Sequence, residues 1–138
     1  MKKTKGNYEL SAQIILFAQV TGDKDFKLEP ESEKSFIISV LKKKIEYFEL
    51  PIKITKFAYL LIDLYSEGNP GFAQYILYRV IEQIKDKEDK IITVNDIVNT
   101  WPWEAPLIDK DYENWWDSQK INGCNSVDIK EFWIQAIA

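Results

Sequence analysis

The residues of this chain that could do chemistry are almost entirely carboxylates. The 138 residues include no histidine and a single cysteine, Cys124. Histidine is the commonest general base near neutral pH, and a zinc site needs several cysteines or histidines. The composition therefore excludes Ser-His-Asp catalysis, Cys-His catalysis and a zinc centre within this chain. One cysteine also excludes an internal disulfide and is typical of a reducing compartment, so we predict a cytoplasmic protein.

One carboxylate cluster has the oxygen ligands that hard divalent cations prefer. Asp109, Asp111 and Glu113 are close in sequence, as Mg²⁺ or Ca²⁺ ligands often are. However, the glycine and the later glutamate of a calcium loop are missing, and acids are also common where helices begin. Gly68 and Gly71 do not form a phosphate-binding loop. We therefore predict a non-enzymatic protein without catalytic, metal or cofactor sites; a carboxylate-and-metal enzyme is the alternative.

The last 38 residues combine aromatic and acidic side chains. They contain all five tryptophans, and seven carboxylates against three lysines give them a net charge of −4, which is that of the whole chain. Tryptophans often dominate the binding energy of protein interfaces, and acids steer basic partners. Of the adjacent Trp115 and Trp116, we assign Trp116 to the interface, because Tyr112 precedes it by one helical turn. The predicted protein interface consists of Trp103, Glu104, Asp109, Asp111, Tyr112, Glu113, Trp116 and Asp117. Alternatively, the tryptophans are core and the acids a solvated face.

The apolar spacing along the chain predicts the elements that must position these residues. It indicates an all-α, compact single-domain bundle of about five to seven helices over residues 1–138, with a Trp/Pro-rich C-terminal lid. Residues 1–6 are predicted to be a flexible basic tail. A first helix is expected from about Tyr8 to Val20, with an apolar stripe at Leu10, Ile14, Phe17 and Ala18. A second helix is expected to begin at Pro30 and to end before Pro51.

The middle of the chain predicts two packed helices. Residues 57–65 are apolar nearly all round, which is typical of the buried centre of a bundle. Gly68, Asn69 and Pro70 supply a helix stop, a cap and a first turn, so the next helix should pack antiparallel. Asp63 is the one acid within the apolar stretch. Because a buried charge needs a partner, we expect it to bind Arg79 or a tyrosine hydroxyl of the neighbouring helix.

Four shorter segments give local predictions of secondary structure or exposure. Residues 91–94 are compatible with a short strand, but the capping-box spacing of Thr93 and Asp96 favours a short helix over residues 94–99. Two prolines exclude a regular helix over residues 101–106. A last helix is expected to begin at Ser126 or Asn125 and to end near Ala138. The lysine run at residues 42–44 is predicted to be a solvated helix face.

The overall charge and the lengths of the apolar runs indicate which kinds of molecule this chain binds. A pI near 5.0 and a single arginine argue against nucleic acid, and no apolar run is long enough to span a membrane. We therefore predict an inhibitor of the immunity or antitoxin type, which neutralises a basic toxin such as a nuclease by covering its active site. The alternatives are a phage or mobile-element inhibitor of host defence, and a structural or scaffold domain that self-associates through the Trp-rich lid, for example as a homodimer.

Overall fold

The protein is built from helices, as the computed structural model shows. The structure describes residues 5–100, 113–115, 117 and 126–137; the side chains it describes are those of residues 9–100, 113–115, 117 and 130–137. Residues 113–115 and 117 are helical. The all-α prediction is confirmed. The elements with defined bounds are α1 (Lys5–Thr21), α2 (Pro30–Glu33), α3 (Phe36–Tyr47), β1 (Lys53–Ile54), α4 (Lys56–Ser66), α5 (Pro70–Ile84), β2 (Ile91–Ile92), α6 (Val94–Thr100) and α7 (Ser126–Ile137).

Helix α4 lies at the centre of the bundle, as its apolar sequence predicts. It packs against α1, α3, α5 and α6, and the side chains of Leu61 and Ile62 are completely buried. The Thr55 hydroxyl accepts a hydrogen bond from the Ala58 amide at 3.2 Å, which caps the helix. Helix α5 is the second central element and packs against α3, α4, α6 and α7. The core is therefore organised around the α4–α5 pair.

The turn between α4 and α5 has the expected chemistry. Glu67 and Gly68 both adopt positive φ angles, of 50° and 81°. The Asn69 carboxamide oxygen accepts a hydrogen bond from the Phe72 amide at 3.1 Å, and Pro70 is the first residue of α5. Proline fits there because the amide of a first-turn residue needs no helical partner. The local signals for a stop, a cap and a restart are confirmed.

Both alternatives for residues 91–99 are partly right. Ile91 and Ile92 form β2, which pairs in parallel with β1, and α6 begins two residues later. The Thr93 amide donates to the Asp96 carboxylate at 2.9 Å, while the Asp96 amide lies 3.4 Å from the Thr93 hydroxyl oxygen. This is the predicted capping box with Asp in place of Glu. Strand β1 was not predicted, because two residues are too few to show an alternating pattern.

The first helix differs from its predicted bounds and orientation. It begins at Lys5, so residues 5 and 6 are helical, and it ends before Gly22, whose φ is 80°. Ala18 is buried as expected, but Leu10 and Phe17 are about half exposed. The helix is apolar on several sides, so the spacing of its apolar residues does not determine which side meets the core.

The predicted second helix is two helices that are separated at Ser35. Its backbone is extended, with φ −62° and ψ 126°, and its hydroxyl accepts a hydrogen bond from the Ile38 amide at 3.3 Å. A serine in this conformation is a helix cap, so α3 begins anew at Phe36. Phe36, the first residue of α3, is 67% exposed, whereas Leu41 is completely buried.

Candidate protein-binding surfaces

Two of the eight predicted interface residues belong to the described part of the chain, and both are exposed. Glu113 and Asp117 are both helical and lie four positions apart in sequence, and the side chains of both reach solvent. The remaining six lie outside the described residues: Trp103, Glu104, Asp109, Asp111, Tyr112 and Trp116.

Trp115 and Trp133 are buried in an aromatic cluster, which we define as Tyr75, Tyr78, Trp115, Phe132 and Trp133. The Trp133 ring meets the Tyr78 and Trp115 rings edge-on, at centroid distances of 5.3 and 6.1 Å. Tyr78 stacks on Phe132 at 5.0 Å. Both arrangements are favourable for aromatic pairs. The core interpretation is therefore correct for these two tryptophans.

Burial of Trp115 explains why the acids beside it face solvent. Consecutive helical residues are separated by about 100°, so side chains two positions away point roughly to the opposite side. Glu113 and Asp117 each lie two positions from Trp115, which packs at 5.5 Å against both Tyr75 and Tyr78. The aromatic cluster thus anchors Trp115, and Glu113 and Asp117 lie on the solvent-exposed side.

A cleft of about 400 Å³ opens beside the aromatic cluster. The Arg79 Nε and the Glu82 Oε1 lie 3.8 Å apart at its edge, and both side chains are about half exposed. Burial and the nearby Glu82 carboxylate raise the pKa of Tyr78. Aromatic walls and a carboxylate together favour an organic cation such as a lysine or arginine side chain. The cleft is lined by Tyr75, Tyr78, Arg79, Glu82, Asn114, Trp115 and Phe132.

A second cleft, of about 360 Å³, lies between α1 and α6. Asp23 lines it, and its Oδ2 accepts a hydrogen bond from the Val94 amide at 2.7 Å. Because Val94 is the first residue of α6, this carboxylate lies at the positive end of that helix. It joins the end of α1 to the start of α6 across 71 positions of sequence. Its role here is therefore structural.

The predicted partner of Asp63 is wrong. Its carboxylate accepts a hydrogen bond from the Ser35 hydroxyl at 3.0 Å, while Arg79 lies beside Glu82. Asp63 is on the side of α4 that meets the start of α3, so α5 does not supply its partner. The Ser35 hydroxyl both caps α3 and donates to this carboxylate. Asp63 thus stabilises the junction between α3 and α4, which is a structural role.

Lys44 departs from the predicted solvated lysine face. Lys42 and Lys43 are exposed, but the Lys44 ammonium lies 5.1 Å from the centroid of the Phe48 ring and 5.2 Å from that of Trp133. Burial lowers the pKa of Lys44 to about 8. The loss of hydration on burial disfavours the charged ammonium, which is the cause of this shift.

We expect Lys44→Met to raise the free energy of unfolding at pH 7 by about 1–3 kcal/mol, because methionine keeps the apolar contacts without burying a charge. The folded-state pKa of about 8 lies below the ordinary value of 10.5. Between pH 8 and pH 10.5 the unfolded chain binds more protons than the folded chain, so the stability of the wild type increases as pH rises. The stability advantage of Lys44→Met should therefore fall by about half between pH 7 and pH 9.5.

Thermal unfolding followed by circular dichroism at pH 7 and pH 9.5 measures this difference. Lys43→Met is the matched control, because Lys43 is exposed on the same helix, and it should change stability little at either pH. Burial raises the pKa of Tyr59 to about 12, so its contribution to stability begins to fall as pH approaches the ordinary value of 10. This loss is common to wild type and variants and cancels in their difference. A Lys44→Met protein less stable than wild type at pH 7 would contradict the prediction.

The outer side of α1 is an exposed apolar surface that sequence reasoning missed. We define the α1 face as Leu10, Leu16, Phe17 and Val20, which are 49, 55, 52 and 76% exposed. The available signal was charge: the thirteen residues from Leu10 to Gly22 contain no charged side chain, in a chain that is 29% charged. Contiguous exposed apolar side chains commonly mark interaction sites.

A groove between α1 and α4 adjoins the α1 face. Leu10 and Ile14 lie on one side, and Leu60 and Leu64 on the other, with Asp63 and Glu67 also lining it. The Phe17 and Phe57 rings meet at a centroid distance of 6.3 Å and connect the two helices. The apolar surface therefore continues from the α1 face onto α4.

Comparison with protein-family models, with curated proteins and with solved structures finds no match for this chain. Among the described side chains, no group of three or more His, Cys, Asp or Glu residues is placed to hold a metal ion. None of the helices within the described residues has the length and apolar character needed to cross a bilayer. The surfaces of the described residues are therefore the basis for proposing a function.

Proposed function

We propose that this protein is a non-enzymatic inhibitor that binds a basic protein, in the manner of an immunity protein that neutralises a toxin such as a nuclease. The observation that carries the proposal is the orientation of Glu113 and Asp117. Both carboxylates face solvent on a segment that Trp115 anchors in the core. Fixed carboxylates attract a basic partner without the entropic cost of ordering a flexible loop.

The neighbouring cleft supports the same class of partner. It offers aromatic walls and the Glu82 carboxylate, next to Asn114 on the segment that carries the two acids. A lysine or arginine of the partner that enters it would compete with Arg79 for Glu82 and gain contact with the aromatic rings. Steering by the acids and insertion of a cation into the cleft are therefore two parts of one binding mode.

The partner is to be isolated as a one-to-one complex from cells that produce a tagged form of this chain, and its activity measured alone and in the complex. We expect a basic protein whose activity is lost at equimolar inhibitor. We further expect Glu113→Gln combined with Asp117→Asn to lower the association rate at low salt on the order of threefold to tenfold, because the loss of steering acts chiefly on association.

Glu46→Gln combined with Asp86→Asn is the matched control, because these exposed residues give the same change in net charge elsewhere. Stopped-flow association at low and moderate salt compares the two double variants. The rate of the 113/117 variant should also depend less on salt than that of wild type. Equal effects of the two double variants would show that only overall charge matters. An acidic partner, or turnover of a substrate by this chain, would overturn the proposed function.

A further inference from the structure

We infer that the α1 face binds a second copy of this chain, so that the protein forms a homodimer through α1. This inference is independent of the proposed inhibitor function. It rests on the exposure of Leu10, Leu16, Phe17 and Val20 and on the lack of charged side chains between Leu10 and Gly22. Trp115 and Trp133 are buried within their own chain, so these two tryptophans do not offer a surface for self-association.

Charge favours a second copy as the occupant of this face. The chain has a net charge of −4, so two copies repel each other wherever their acidic surfaces meet. The stretch from Leu10 to Gly22 is neutral, and its exposed polar side chains include the uncharged Gln13 and Gln19. Interface cores are depleted in charged residues, and homodimer interfaces are the more apolar class. A neutral face on an acidic protein is thus the place where identical copies can meet.

The size of the face is compatible with this role. The exposed parts of its four side chains present roughly 400 Å² of apolar surface, which is typical of functional patches on monomers. Each partner in a standard interface buries about 800 Å², so these side chains supply about half of that area. Gln13 extends the surface, and the adjoining groove adds Leu60 and Leu64 together with the acids Asp63 and Glu67. We therefore look for the dimer at micromolar concentrations.

A lipid surface is a less suitable occupant. Helices that lie on membranes carry lysine or arginine on their polar side, because those residues bind anionic lipids. From Leu10 to Gly22 α1 has neither. The nearest basic residues, Lys5 and Lys24, lie beyond the two ends of this stretch, where Glu9 and Asp23 offset them, so they do not form a basic polar side along the helix.

Twofold symmetry specifies which residues meet. A dimer of identical chains pairs the same surface of each copy, so the two α1 helices meet either antiparallel, about an axis that crosses them, or parallel, about an axis that runs along them. Leu16 lies near the middle of the stretch between Leu10 and Val20, so in both arrangements it is at about the level of its symmetry mate. A charge at position 16 would therefore lie close to its own symmetry mate.

The test is sedimentation equilibrium of the purified chain and its variants over about 1 to 200 µM, since dimerisation depends on protomer concentration. Wild type should change from monomer to dimer within this range. Leu16→Glu should weaken the dimer at least about tenfold, because like charges meet across the axis. Leu16→Lys should do the same, whereas an equimolar mixture of the two variants should dimerise again. Tyr47→Glu, at a 69% exposed position on α3, is the matched control and should leave dimerisation unchanged.

Circular dichroism establishes that each variant is folded. If a charge at position 16 weakens folding, Val20→Glu replaces Leu16→Glu in the comparison with wild type, because Val20 is the most exposed of the four positions. The inference is overturned if wild type stays monomeric throughout, if the α1 variants dimerise as well as wild type, or if the Glu/Lys mixture stays monomeric. Co-sedimentation of monomeric wild type with vesicles of phosphatidylglycerol and phosphatidylcholine would also overturn it, in favour of a lipid surface.

Discussion

Leu61→Asp is expected to unfold this domain at 25 °C. Leu61 is completely buried in α4, the helix that packs against α1, α3, α5 and α6. An unpaired carboxylate at such a site costs several kcal/mol, and the lost leucine contacts cost about 2–5 kcal/mol more. Those costs together are comparable to the whole stability of a typical domain, about 5–15 kcal/mol.

Circular dichroism at 222 nm and size-exclusion chromatography measure this result, with loss of helical signal and an expanded chain as the expected outcome. Leu16→Asp makes the same chemical change at a 55% exposed position of α1. That control should keep its helical signal even where the association of two copies is lost. Leu61→Ala should be intermediate, because it leaves a cavity without a charge. A cooperative melt of Leu61→Asp within a few degrees of wild type would show that α4 is not the centre of the fold.

The elements that sequence predicts well are those whose determinants are local. The α4–α5 turn needs a left-handed residue, a cap and a proline, and Gly68, Asn69 and Pro70 provide them in consecutive positions. The capping box at Thr93 and Asp96 likewise joins residues three positions apart. Such interactions depend little on the remainder of the fold, so a sequence window contains nearly all the information.

The predictions that failed depend on contacts between distant residues. Asp63 binds Ser35, which is 28 positions away, and no local signal distinguishes that hydroxyl from the guanidinium of Arg79. Lys44 is removed from solvent by its neighbour Phe48 and by Trp133 from α7. Which side of an element meets the core is decided when the elements assemble, and periodicity along one element does not report it.

The candidate binding surfaces also combine features that the sequence shows with features that only the packing of the helices shows. Composition identified the acidic segment, and helix geometry with the burial of Trp115 then gives the outward direction of Glu113 and Asp117. The α1 face was missed because its leucine and phenylalanine side chains look like core residues in sequence. Only the packing of α1 against α4 and α6 shows that Leu16 and Val20 are left outside.

Trp133→Ala is expected to lower the free energy of unfolding by about 3–5 kcal/mol, the usual cost of removing a large buried aromatic side chain. The indole is completely buried in α7 and meets the rings of Tyr78 and Trp115 edge-on. Its removal leaves a cavity between α7 and α5 and withdraws one of the two rings beneath the Lys44 ammonium. Trp133→Phe should cost less, because a smaller ring retains part of these contacts.

Chemical denaturation followed by circular dichroism measures both variants, with Gln135→Ala as the control at an exposed position of the same helix. The control should lie close to wild type, because its side chain is in solvent and alanine favours helix. If Trp133→Ala were as stable as Gln135→Ala, α7 would not be part of the core. The aromatic cluster would then no longer anchor Trp115, and the fixed orientation of Glu113 and Asp117 would lose its physical basis. The stability of the Trp133 variants therefore tests whether the aromatic cluster holds Trp115 in place beside the two acids. This test does not require the partner protein.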